Sequence, residues 1–400
     1  MGRAVWVGVA TGLAAVVFLG GLHLAENLIF GDEQPTGLLD GPIWLIPLLG
    51  VGGLIVGLLR QRIEQPPAAT TVFDELAEGR VEPSHVPGSV LVSATSLAVG
   101  APLGPEAALG SIGGGLGTWA AERADEDSEQ VAISTQAGVG GAFGALISPF
   151  VSVLLALELE HHPRAQLAAM LPTVTVAAAA FAAFFPIAGA LFFGLLEVPA
   201  FELRSWHLLA GVRIGLLGAA VAVVVGGFLQ GAIRILAGPL ERHRLLVPTL
   251  AGGFAGALIF VMPLAGFSGA EESGIVISER EELAPGLLIG AVGAKLLATS
   301  VVFGAGFVGG PIFPMLFIGG TAGTVLSQLV PGLPPGVVIP AMMVAVPAPL
   351  LGLPISAVFL VSFAFGIGAE EAVPAGIAAL TSLVVFRVVA ETLSARRAAA

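Results

Sequence analysis

Cysteine and tyrosine are absent from this chain, lysine occurs once (Lys295), and only 11% of its 400 residues are charged. Without cysteine there is no disulfide, no zinc–thiolate site and no iron–sulfur cluster, and cysteine usage says nothing about redox compartment. Soluble chains carry roughly 25% charged residues, so the charges here cannot coat a globule of this size. A soluble enzyme, a disordered tail and a nucleic-acid binder are thereby excluded. What is present instead is apolar: 56% hydrophobic residues and a mean hydropathy of +0.96. The natural solvent for such a surface is lipid. Glycine (56) and proline (28) are also abundant, which points to closely packed, interrupted membrane helices rather than plain rods. The net charge of −12 belongs to loops and identifies no partner.

Apolar segments long enough to span a ~30 Å hydrocarbon core recur along the whole chain. They cover 4–25, 38–59, 88–120, 132–157, 166–196, 206–238, 246–267, 284–306, 310–330, 336–366 and 372–390. The first is too long for a signal peptide and reads as a membrane helix. Several others exceed one span and are broken by Gly or Pro, as between Gly100 and Gly117, and read as pairs of shorter helices. The expectation is an all-α polytopic membrane protein, a single membrane domain over 1–400 with no cytoplasmic regulatory domain. Basic residues set its orientation. Arg3, Arg60 and Arg62 flank the first hairpin, whereas the loop from Glu26 to Asp40 has no Lys or Arg. The N-terminus and the 60–85 loop are therefore expected in the cytoplasm, followed by Arg242, Arg244 and the C-terminal Arg387, Arg396 and Arg397.

The chain also repeats itself. Residues 104–118 align without a gap on 310–324, sharing Gly, Pro, Ile, Gly, Gly, Gly and Thr, with Gly100 and Gly306 in the same register. Each copy follows an Ala-Thr-Ser run (94–96 and 298–300) and precedes a Pro-led apolar helix, from Pro149 and from Pro354. Two halves, approximately 1–200 and 201–400, are expected, and transporters built this way place their site between the halves near the bilayer midplane.

Glu106 is the only charged residue between Gly88 and Ala120. A carboxylate at membrane depth is costly, and so is a functional candidate by default. Pro105 before it suits a first helical turn, which places the carboxylate at a helix N-terminus where free N–H groups favour an anion. The plainer alternative is a helix cap at an interface. The matching stretch Gly310-Pro311-Ile312-Phe313-Pro314 starts a second helix whose only polar offering is backbone N–H. Two such termini make an electropositive spot without a formal charge, suited to holding a dehydrated monovalent anion loosely. Glu158 and Glu160, with His161 and His162, end the helix begun at Pro149 and lack the spacing of a zinc protease. Glu271, Glu272, Glu279 to Glu282, Glu370 and Glu371 read as loop residues. Lys295 either snorkels to an interface or holds an intramembrane partner. No phosphate-binding loop, metal site or nucleophile constellation is found, and no cofactor is implied.

With these residues in place, the chain resembles the CLC family of chloride channels and proton-coupled chloride transporters. Gly104-Pro105-Glu106-Ala107-Ala108 is similar to the family's GREGP motif and Gly310-Pro311-Ile312-Phe313-Pro314 to its GxFxP motif. The resemblance implies two inverted-topology repeats with broken and re-entrant helices, a homodimer with one pore per subunit, and residence in the cell membrane. It implies transport of a small anion, chloride first, gated by or coupled to protonation of Glu106. It also implies an anion site around Gly104, Ala107, Ile312 and Phe313. The departures are specific. Pro311 has no N–H where the family has an anion-holding amide. The stretch 65–71 lacks the family's serine, for which Thr70 or Thr71 would substitute. No tyrosine exists to line the pore, and the internal proton-relaying glutamate maps to Leu159, between Glu158 and Glu160. A fluoride-type or other anion exchanger, a non-transporting membrane scaffold or sensor, and a membrane-embedded enzyme remain as alternatives.

Overall fold

The computed structural model describes residues 2–31, 41–63, 72–159, 173–174, 176–181, 183, 198–199 and 201–398. Among them the chain is helical and has no strand, only one isolated antiparallel bridge between Gly104 and Gly310. The helices gather into two compact units that interleave along the sequence. The first comprises Met1–Phe193, Leu229–Gly269 and Leu297–Phe313; the second comprises Gly194–Phe228, Ala270–Leu296 and Pro314–Ala400.

The first unit holds α1 (Gly2–Phe30), α2 (Leu45–Arg62), the short α3 (Val72–Ala77), α4 (Val86–Ala98), α5 (Glu106–Glu122), α6 (Ser128–Leu146) and α7 (Pro149–Leu159). It also takes the C-terminal part of α8 (Ser205–Arg242) and the whole of α9 (Leu246–Val261). Glycine decides how these helices pack. A Cβ on Gly113 of α5 would stand 2.7 Å from the carbonyl oxygen of Gly138 on α6, and one on Gly117 would meet the carbonyl of Ser134. Backbone therefore lies on backbone, as small residues allow in lipid, where apolar burial gives helices no drive to associate. The same device joins α2 to α9, where Gly252 and Gly256 face the carbonyls of Leu49 and Leu45. Local chemistry sets the helix ends. The Asp127 carboxylate accepts the Gln130 N–H at 2.9 Å to cap α6, satisfying one of its orphan donors. Outside the membrane segments, Arg80 pairs with Glu82 at 2.8 Å and with Glu122 at 2.7 Å, tying the approach to α4 to the end of α5. Hydrogen bonding to Arg80 holds the Glu82 carboxyl below the usual carboxylate range.

The second unit holds α10 (Ala270–Ser278), most of α11 (Pro285–Gly304), α12 (Ile312–Leu329) from Pro314 onward, α13 (Pro335–Ala345), α14 (Pro347–Leu351), α15 (Pro354–Phe365) and α16 (Ala369–Ala398). Here α16 packs on α13, where the Ser382 hydroxyl donates to the Ala345 carbonyl at 2.6 Å. It also meets the start of α8, where Gly211 and Gly215 approach the carbonyls of Pro374 and Ala378. Among the described residues six helices are long and apolar enough to cross a membrane: Val5–Phe30, Leu45–Arg62, Ser205–Arg242, Pro285–Gly304, Ile312–Leu329 and Ala369–Thr392. Large apolar side chains such as Trp6, Leu28 and Ile235 stand exposed on them, as lipid-facing surface does. This is the polytopic all-α membrane fold expected from composition.

Particular elements differ from the sequence reading. The 88–120 and 132–157 stretches are helix pairs as expected, broken at 99–105 and at Ile147-Ser148, but 336–366 is three helices and 206–238 is one uninterrupted helix. Glu271 and Glu272 belong to no solvated loop. They open α10, and Glu272 is buried. Glu370 and Glu371 form the first turn of α16, where acidic side chains complement the helix dipole, and Glu370 accepts the Leu203 N–H at 3.0 Å. Thr70, Thr71, Glu160, His161, His162 and most of 166–196 lie outside the described residues.

Candidate functional site

The site lies wholly within the first unit, where two chain reversals meet. Helix α4 ends in a left-handed glycine, Gly100 (φ +79), whose N–H bonds back to Leu97 while that of Ala101 reaches Ser96. Helix α11 ends the same way at Gly306 (φ +90), with the Gly306 N–H on Phe303 and the Phe307 N–H on Val302. These are two Schellman caps at equivalent positions of the repeat, and only glycine takes that backbone conformation without strain. The two loops then clasp each other. Gly104 N–H donates to the Gly310 carbonyl at 2.8 Å and Gly310 N–H to the Gly104 carbonyl at 2.7 Å, a reciprocal pair about a local two-fold axis. Flanking hydroxyls lock the clasp: Ser96 Oγ accepts the Val308 N–H at 3.2 Å and Thr299 Oγ1 donates to the Pro102 carbonyl at 3.0 Å.

From this clasp α5 starts at Glu106 and α12 at Ile312, again at equivalent positions. Glu106 is 1% exposed. Its side chain crosses to the other helix start, where Oε1 accepts the Phe313 N–H at 2.9 Å. The amides of Ile312 and of Glu106 itself also act on the carboxylate. Pro311 and Pro314 have no N–H, so the donors of the first turn of α12 are the consecutive amides of Ile312 and Phe313. Oε2 is buried and, among the described residues, takes no hydrogen bond. A Cβ at Gly104 or at Gly310 would collide with this oxygen, so those two glycines clear the space that the carboxylate fills.

Of the residues singled out from sequence, the structure brings together Glu106, Gly104, Ile312 and Phe313, with Ala107 buried beside Glu106 in the first turn of α5. The Gly104 amide is engaged with Gly310, so this residue shapes the cradle and donates nothing to an anion. Glu158 lies half-buried at the C-terminal end of α7. Sequence reasoning missed two things. Gly310 matters for the room it leaves, which only the crossing of the Glu106 side chain makes visible. The second is the partner of Lys295 in the second unit: of the two readings of this lysine the structure bears out the intramembrane partner, and that partner, Glu272, reads from sequence as a loop residue. Lys295 is wholly buried, with its ammonium 5.2 Å from the centre of the Phe317 ring, and it interacts electrostatically with the buried Glu272.

A family model described as voltage-gated chloride channel matches residues 52–387. A candidate ion-transport protein named YfeO from Escherichia coli O9:H4 (strain HS) is 25% identical over 352 residues, covering 84% of this chain and 81% of that one. Its namesake in Shigella sonnei (strain Ss046) is 26% identical over 350 residues, with the same coverage. Among solved structures, a slow cyanobacterial Cl−/H+ antiporter matches with a TM-score of 0.81 at 19% identity, over 97% of this chain and 94% of that one. A CLC-type fluoride/proton antiporter gives 0.73 at 18% identity, over 95% and 94%. At such identities the structural likeness speaks for the fold, whereas the family model spans most of the chain; this protein belongs to the voltage-gated chloride channel (CLC) family.

Proposed function

We propose that the protein carries a small monovalent anion, chloride first, across the membrane, and that protonation of Glu106 opens the path or couples it to protons. The observation that carries this reading is the 2.9 Å hydrogen bond from Phe313 N–H to Glu106 Oε1. A carboxylate on paired backbone amides at a helix start occupies the place that a free anion would take. The charged side chain and the anion therefore compete for the same donors. A proton on Oε2, which holds no hydrogen bond among the described residues, removes the charge that keeps the side chain there. An anion can then take the amides of Ile312 and Phe313, with Ala107 at the facing helix start. Amide dipoles hold the ion without a lysine or arginine, so it binds weakly enough to leave.

The sign of the pH dependence follows. At high pH the carboxylate is charged and fills the site, so flux is low; as pH falls it is neutralised and flux rises. The test is anion flux from liposomes across a pH series. Glu106→Gln is expected to keep flux while flattening its pH dependence, and an unchanged pH dependence in that variant sinks the assignment. Fluoride, nitrate and chloride run in parallel identify the preferred ion. The donor set shortened by Pro311 favours the alternative of a fluoride-type or other exchanger enough to include it. Thr70, Thr71, Glu158 and Glu160 remain proposed participants on the inner side, and a homodimer in the cell membrane with cytoplasmic termini is part of the same reading.

A further inference from the structure

One cation of the first unit has no task in the fold described so far. Arg60 closes α2, half-buried, and leans on the loop that leads from the Gly306 cap to the bridge at Gly310. Among the described residues it makes one hydrogen bond, a long one of 3.4 Å from Nη1 to the Gly306 carbonyl, and no carboxylate pairs with it. A guanidinium offers five N–H donors in a planar fork, so most of this one is unengaged. Half-burial removes part of its water, and no described residue supplies a counter-charge. The position is not incidental, because the Gly306 Cα that Arg60 covers has no side chain to push it away: a Cβ there would lie 3.3 Å from Arg60 Nε.

The surroundings share its sign. The end of α8 and the start of α9 reach this same end of the unit: Leu240 lies against Gly306, and the Arg244 carbonyl faces Gly57, one turn before Arg60. Arg62, Arg242, His243 and Arg244 are exposed there, with Glu241 the acid among them. The basic-residue count assigns this end to the cytoplasm. Clustered like charge beside a low-dielectric wall concentrates counter-ions.

Resting on the transport reading above, we infer that Arg60 is an anion-collecting residue: its open guanidinium fork, set against Gly306, which lies four residues before the Gly310 bridge, takes a monovalent anion on the cytoplasmic side of the Glu106 site. The ligand class is the transported halide, held by charge and N–H donors.

The test uses full-length protein. Wild type, Arg60→Gln, Arg60→Lys and Arg123→Gln are reconstituted in phosphatidylcholine vesicles, and chloride flux is followed against chloride concentration. Chloride-dependent melting in detergent gives a parallel binding readout. The half-saturating chloride concentration is expected to rise about five- to tenfold in Arg60→Gln in both readouts, with maximal flux within about twofold of wild type. Arg60→Lys, which keeps the charge and loses the fork, is expected in between, and it carries the test should Arg60→Gln fail to fold. Arg123→Gln, at the far end of α5, is expected to match wild type. The inference is overturned by unchanged half-saturation in folded Arg60→Gln, by an equal rise in Arg123→Gln, or by a rise seen only when anionic lipid is added, which would make this a headgroup contact. If no vesicle shows flux, the transport reading fails separately. Melting then decides Arg60: a chloride shift present in wild type and weakened in Arg60→Gln upholds the anion site, and no shift in wild type overturns it.

Discussion

At the scale of single residues, the site works through what is missing as much as through what is present. Alanine at Gly104 or Gly310 would put a methyl group where Glu106 Oε2 lies. Gly310→Ala is therefore expected to expel the carboxylate and imitate its protonation: flux measured at high pH should rise toward the low-pH value, with little left for further acidification to do. The buried pair in the second unit makes a different prediction. Lys295→Met leaves Glu272 buried without its cation and should cost about 3–5 kcal/mol, whereas Lys295→Met with Glu272→Gln should recover most of that loss, as read by equilibrium unfolding in mixed micelles. Glu106 was legible in the sequence because it is the one charge in a long apolar stretch, which a plain helix cap at an interface explains less well than a functional group does. Glu272 was not, because it sits next to Glu271 and shortly before a truly exposed acidic run, and its partner lies on another helix. Composition marks a charge as unusual only when its neighbours are not charged too.

At the scale of elements, the repeat was legible and its purpose was not. Gly100 with Gly306 and Gly104 with Gly310 were alignable letters, and the structure makes them two identical helix caps and one reciprocal bridge. The Ala-Thr-Ser runs, which looked like part of the same repeat, fall out of that register and serve unlike ends: Ser96 accepts a hydrogen bond from the opposite loop and Thr299 donates one. Helix breaks inside apolar stretches were placed well where a loop had to reach the site and less well in 336–366. There successive prolines each begin a new helix, a choice that local apolarity does not encode. The glycine count also separates into kinds. Gly113→Ala should force α5 off α6 and destabilise the protein by about 1–3 kcal/mol. Gly231→Ala, where an added methyl meets nothing within 4 Å, should stabilise it by about 0.4–1 kcal/mol. Thermal melting of the two variants side by side distinguishes packing glycines from merely tolerated ones.

At the scale of the whole molecule, a fold class read from scarce charge, repeated apolar spans and one duplicated motif is the fold found, and the family match extends over residues 52–387. What pairs across helices far apart in sequence could not be read that way. Transport measured on the intact protein provides the broadest check. With coupled exchange, an imposed chloride gradient should drive protons uphill in wild-type vesicles, and Glu106→Gln should dissipate the anion gradient without moving protons.

The reciprocal bridge between Gly104 and Gly310 has a kinetic corollary. Each loop holds the other by both its N–H and its carbonyl, so neither helix start can retreat without breaking two backbone hydrogen bonds at membrane depth, where no water replaces them. The clasp leaves the side-chain torsions of Glu106 outside it. On the gating proposed for Glu106, opening would be a rotamer change, on the timescale of a side chain rather than of a helix, with the frame around it staying still.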